Sequence, residues 1–142
     1  MTEQIRIKIE RIREYLRILR DMEKDCNSRF LIDPIYRGAL LHYLYLVADS
    51  SISLAEMVIR CKNLRTPQSY SEAIDILGEN NILPGDFAYN FAGIASFRNF
   101  LAHDYEKIDY KRICDGIFKK LDDIEIYLKY IEEYFGWRKD VF

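Results

Sequence analysis

Apolar residues recur every three or four positions along almost all of this chain, and strict alternation is scarce, so the pattern predicts helices throughout. Ile5, Ile9, Ile12, Leu16 and Leu19 form a stripe that predicts an amphipathic helix over about residues 4–25. A second helix opens with Asp33 as N-cap and Pro34 at its first position. It is apolar on most sides between Gly38 and Ala48, as expected of a central helix. The stretch "SYSEAIDILGENN" predicts a short helix opened by Ser69 or Ser71 and stopped by Gly78. Beyond Pro84 and Gly85, "DFAYNFAGIASFRNFLAH" reads as one helix, and a long last helix runs from Asp109 to about Phe135 with Gly136 as its cap. Four main helices and one short one, joined by short loops without repeats, predict an all-α, up-and-down helical bundle in a single domain over residues 1–142.

Composition narrows the classes. The chain is 49% hydrophobic and 31% charged, which is ordinary globular composition. A net charge of −2 excludes a protein that grips nucleic acid by overall charge, so any such contact is local. The first helix does carry six basic against two acidic residues between Ile5 and Arg20; a solvated face and an RNA- or partner-facing patch both fit. Cys26, Cys61 and Cys114 are odd in number, far apart and in no C-x-x-C pairing, which argues against a disulfide framework and against a zinc site. A reducing cytoplasm fits best, and neither a signal peptide nor a membrane-spanning run is visible.

The segment "FRNFLAHDYEKID" stands out because it gathers Arg98, Asn99, His103, Asp104 and Tyr105 at the end of an apolar run. On a wheel of about 100° per residue that takes Phe87 as zero, Phe91, Ile94, Arg98 and Leu101 fall within about 40° of it. Arg98 therefore sits inside the core stripe and must reach out along its stem or find a carboxylate. Asp49, after the apolar run of the second helix, is either a surface carboxylate or a buried partner for a cation. Ala88, Ala92, Ser96, Asn99 and His103 gather on a second, small and polar face suited to close approach by another helix or a second copy. Asn99 and His103 are neighbours there at i and i+4. His42, within "ALLHYLYL", reads as a satisfied core histidine.

Arg98, four residues, His103, one residue and Tyr105 together resemble the R-x-x-x-x-H-x-Y motif of the HEPN superfamily, in particular the HepT toxins that pair with MntA-type nucleotidyltransferase antitoxins. Asn99 and the Asp104-Tyr105 pair belong to the same phrasing, and the helix layout matches over nearly the whole chain. Ser53 and Met57 depart from it, standing where relatives often carry Asp and His. The resemblance implies a HEPN-like bundle and a homodimer with two Arg-His pairs facing across a cleft. It also implies an RNA substrate, a nucleotidyltransferase antitoxin partner, and Tyr105 as the residue that receives adenylate.

The residue chemistry agrees. Metal-independent RNA cleavage needs a base for the ribose 2′-hydroxyl, an acid for the leaving oxygen and a cation for charge building on phosphorus. Histidine serves as base or acid near neutral pH, and arginine offers a fixed fork for phosphate oxygens. We therefore assign Arg98 and His103 as catalytic, Asn99 and Asp49 as supporting and Tyr105 as the modification site, with no metal and no cofactor. One motif histidine per chain requires the second from a two-fold mate. On an ideal helix Arg98 and His103 point about 140° apart, so the helix must end or bend near His103 if both serve one cleft. Two other readings stay open: a non-catalytic HEPN module that binds a nucleotide or a nucleotidyltransferase, and a plain helical dimerisation domain.

Overall fold

The computed structural model describes residues 1–138, apart from the side chain of Tyr105. Helix α1 spans Thr2–Glu23, and α2 is a single turn, Cys26–Arg29. Helix α3 covers Pro34–Cys61, α4 Tyr70–Glu79, α5 Gly85–Phe91 and α6 Ile94–His103. A 3₁₀ turn, Tyr105–Lys107, leads to α7, Tyr110–Arg112, a π-helical turn, Ile113–Ile117, and α8, Phe118–Tyr134. No strand occurs among the described residues, and the architecture is the expected all-α, up-and-down bundle.

Helix α3 is its centre. Helices α1, α4 and α6 pack against it, and α8 closes against α1. Its start is set by sequence: the Asp33 carboxylate accepts the Ile35 and Tyr36 backbone N–H groups at 3.1 Å each, and Pro34 gives up no hydrogen bond at the first position. Inside the bundle, Ser51 Oγ donates back to the Val47 carbonyl at 2.7 Å, and the fully buried Tyr127 hydroxyl donates to the Ser51 carbonyl at 2.7 Å. Burial pushes the Tyr127 phenol well above the usual tyrosine range.

The basic excess of α1 is largely used within the fold. Arg13 forks onto Glu132 at 2.6 and 2.7 Å and reaches Glu125, Arg20 pairs with Asp122 and the Phe118 carbonyl, and Arg6 lies 4.3 Å from the centre of the Trp137 ring. Three of the six cations thus dock α1 on α8 and its C-terminal extension. An RNA-facing patch is left with little to build on.

Four expectations need correction. The predicted motif helix is two helices, because the chain tightens into a turn at Ala92 and Gly93 between α5 and α6. The single wheel therefore fails for Ala88, which is buried and cannot join a face offered to a second copy. Gly78 does not stop α4 but lies within it, where an added Cβ would come 2.7 Å from Ala88 Cβ. It is the point at which α4 and α5 touch. The last helix is reached through the π turn rather than in one run, although Asp109 caps its first turn and Gly136 takes a positive φ of 78° beyond its end. Finally, Cys26 and Cys114 form a disulfide with Cα atoms 5.5 Å apart, across a sequence separation of 88 that no local spacing announces.

That bond joins α2 to the π turn. A crosslink over so long a loop restricts the unfolded chain by up to about 4–5 kcal/mol in the chain-entropy description. Reduction, or Cys114→Ala, is expected to lower the midpoint of urea unfolding. Coincident curves with and without reductant would show that the crosslink contributes nothing.

Candidate active site

Arg98 reaches from α6 to α3. Its Nε donates to Asp49 Oδ1 at 3.1 Å, its Nη2 to the Tyr45 hydroxyl at 3.2 Å, and its Nη1 to Asn99 Oδ1 at 3.2 Å. Tyr45 and Asp49 stand at i and i+4, so one face of α3 supplies both. The guanidinium carbon also lies 5.3 Å from the Tyr45 ring centre and 4.9 Å from that of Tyr70, the first residue of α4. Only 17% of the Arg98 side chain is exposed. Burial alone would lower its pKa, but the bond to Asp49 and the neighbouring phenols of Tyr45 and Tyr70 outweigh burial and hold it above the ordinary value. The cation is permanent and fixed in orientation. Three of the five guanidinium N–H groups are engaged, so two are left for a ligand.

Arg98 thus finds a carboxylate, and Asp49, with 40% of its side chain exposed, is the partner of a cation. Asn99 accepts from Arg98 at the exposed edge of the helix. Ser53 and Met57, where the motif's relatives often differ, are half-buried and take no part in these contacts. The polar support comes from Tyr45, Asp49 and Asn99 instead, with the Tyr70 ring against the guanidinium.

Helix α6 ends at His103: the Asp104 N–H bonds back to the Phe100 carbonyl at 2.8 Å, and Asp104 leaves helical geometry. The termination the wheel required is therefore present. His103 is exposed, has no side-chain partner among the described residues, and joins none of the Arg98 contacts within one chain. Tyr105 begins the 3₁₀ turn that follows, and its side chain lies outside the described residues. His42 is exposed rather than a core histidine, with its ring edge-on to Tyr43 at 5.9 Å, because it lies off the buried face that Tyr36, Leu40 and Leu44 form on α3.

Two clefts flank Arg98. One, of about 870 Å³, is bordered by Arg37, His42, Tyr45, Ala102 and Glu106. The other, of about 500 Å³, lies between the start of α4 and the exposed side of α6 and is bordered by Tyr70, Ser96 and Asn99. Tyr45 therefore faces one cleft and Tyr70 the other, with Arg98 between them. Among the described residues, no three His, Cys, Asp or Glu side chains converge as a metal-ligand set.

Sequence reasoning missed Tyr45 and Tyr70. The first carried a usable signal, since it lies one turn before Asp49 on the same face. The second carried none, because only the packing of α4 against α6 brings it under Arg98.

A family model described as Ribonuclease HepT-like matches residues 8–131. The chain is 23% identical over 132 residues to the mRNA nuclease HepT of Shewanella oneidensis, covering 93% of this chain and 98% of that protein. It is 26% identical over 132 residues to the tRNA nuclease HepT of Aphanizomenon flos-aquae, covering 92% and 88%. Its fold is similar to that of a tri-AMPylated Shewanella oneidensis HEPN toxin solved in complex with an MNT antitoxin, with a TM-score of 0.82, 22% identity, and coverage of 94% and 99%. It is also similar in fold to YutE, a cytosolic protein of unknown function from Bacillus subtilis, with a TM-score of 0.69, 18% identity, and coverage of 94% and 96%. With the model spanning most of its length and the Arg98–His103–Tyr105 spacing intact, the chain belongs to the HepT-like ribonuclease family.

Proposed function

We propose that this protein is a ribonuclease toxin of a toxin–antitoxin pair. It cuts RNA without a metal at a cleft formed by a homodimer, and a nucleotidyltransferase antitoxin neutralises it. The single observation that carries the reading is the preset Arg98 clamp, with two donors to spare, on the helix that ends in His103. Arg98 holds the non-bridging oxygens of the scissile phosphate. One His103 takes the proton of the ribose 2′-hydroxyl, whose oxygen bonds to phosphorus. The His103 of the second copy gives a proton to the departing 5′-oxygen, leaving a 2′,3′-cyclic phosphate and a 5′-hydroxyl.

A second copy is needed because each chain has one motif histidine and that residue stands apart from its own Arg98. The exposed apolar run of Leu31, Ile32 and Ile35, beside the larger cleft, is a surface that a protein neighbour would cover. Among the described residues no helix is long and apolar enough to cross a membrane. The reading places the protein in the cytoplasm, where the Cys26–Cys114 bond is open to reduction and the reduced form is the one to assay.

The catalytic test uses purified dimer and a labelled RNA. Arg98→Ala and His103→Ala are each expected to lose about a hundredfold or more in cleavage, within the usual range for removing an acid–base group, while sedimenting as wild type. Excess EDTA is expected to change nothing. Undiminished cutting by His103→Ala, activity lost to chelation, or a wild-type monomer at micromolar concentration would overturn the mechanism.

Regulation is carried by Tyr105 in this reading. The Shewanella relative is described as tri-AMPylated and bound to its MNT antitoxin. Here the Tyr105 hydroxyl would attack the α-phosphorus of ATP on the antitoxin, releasing pyrophosphate and leaving an anionic adenylate close in sequence to the clamp. Co-expression with a cognate nucleotidyltransferase is expected to add one or more adenylate masses to wild type and none to Tyr105→Phe, which should stay toxic. Equal mass gain in both would move the modification elsewhere.

A further inference from the structure

We infer that the cleft between the start of α4 and the exposed side of α6 is a nucleoside subsite, in which a base of the RNA stacks on Tyr70 while the adjoining phosphate lies on Arg98. The inference rests on the ribonuclease reading and specifies how that site holds its substrate. Single-stranded RNA is gripped by a cation on the backbone together with aromatic rings under the bases. Here the two parts already touch, with the Arg98 guanidinium 4.9 Å from the Tyr70 ring centre.

Tyr70 is suited to be a platform rather than a loose surface residue. The residue is 39% exposed and borders the cleft. The backbone that carries it is fixed twice over. Ser69 Oγ accepts the Glu72 N–H at 3.1 Å as the α4 cap, and Arg65 ties Glu72 and Glu79 at 2.6 and 2.8 Å. An aromatic ring held in this way loses little freedom when a base lands on it.

The rim of the cleft supplies the polar edge that a base requires. Glu56 approaches from α3, Gln68 from the loop before α4, and Ser96 and Asn99 from α6. Asn99 uses its carbonyl oxygen on Arg98, which leaves its amide N–H groups free to donate. The side chains of Glu56, Gln68 and Ser96 make no hydrogen bond among the described residues. A carboxylate only accepts, so Glu56 is placed to take a donor of the base edge, an exocyclic amino group or a ring N–H. At about 500 Å³ the cleft is of small-ligand size.

The test reads binding rather than cleavage, so its outcome is separate from that of the nuclease reading. Fluorescence anisotropy would compare a labelled 2′-O-methyl tetranucleotide with its fully abasic counterpart, which keeps the backbone charge and has no bases. Wild type is expected to bind the intact strand about tenfold or more tightly than the abasic one, the scale of one stacked base. Tyr70→Ala should bring the intact strand down to the level of the abasic strand in the same variant. Gln68→Ala, which does not touch Arg98, should weaken the intact strand alone. If Tyr70→Ala weakened both strands equally, Tyr70 would act only through Arg98 and the subsite would be refuted. Indifference of both strands to Tyr70→Ala and Gln68→Ala would refute it as well.

Discussion

Where α6 packs across α3, an acidic side chain of α3 meets a basic side chain of α6. The two are Asp49 and Arg98, the latter from the core stripe of α6. Without Asp49, Arg98 would be a largely covered charge with no counter-ion, which is less favourable than the pair. The pairing holds α6 against α3 and fixes the rotation at which the motif helix sits. The phosphate clamp of the proposed reading is thus a by-product of how the bundle closes: Asp49, Tyr45 and Asn99 engage three of the five guanidinium N–H groups and leave two.

The division of labour within the site follows from depth. The cation is sunk between two tyrosine rings and three hydrogen-bonding partners, while the imidazole stands exposed where the helix stops. A preset charge and an uncommitted acid–base group suit a reaction in which one component must be rigid beforehand and the other is completed by assembly. In the proposed reading an isolated chain therefore binds phosphate but lacks its second proton carrier, and dimerisation itself becomes a condition for activity.

Much of this was legible in the sequence wherever a local rule applied. The Asp33-Pro34 start, the α1 stripe, a serine cap at Ser69 or Ser71 and the need of Arg98 either to reach out along its stem or to find a carboxylate all follow from spacing within a turn or two. Legibility ended where tertiary packing took over. The helical wheel carried through Ala92 and Gly93 as if the helix were continuous, and so placed Ala88 on an outer face when it meets Gly78. Gly78 looked like a stop signal because a glycine chosen for close approach and one chosen for a turn are the same letter. Tyr70 under Arg98 and Cys114 beside Cys26 are pairings between distant segments, and no periodicity relates them. The basic face of α1 fitted a solvated face or a binding patch equally in sequence because its counter-charges, Glu125, Glu132 and Asp122, lie at the opposite end of the chain.

The Cys26–Cys114 bond also divides the molecule topologically. It closes residues 26 to 114 into a covalent ring, and Tyr45, Asp49, Tyr70, Arg98, Asn99 and His103 all lie within it. Helices α1 and α8 are tails outside the ring, held to one another by the Arg13 fork and the Arg20 pair. A single proteolytic nick in the α3–α4 loop would open the ring without releasing any part of the site. The two fragments would travel as one species until a reductant separated them.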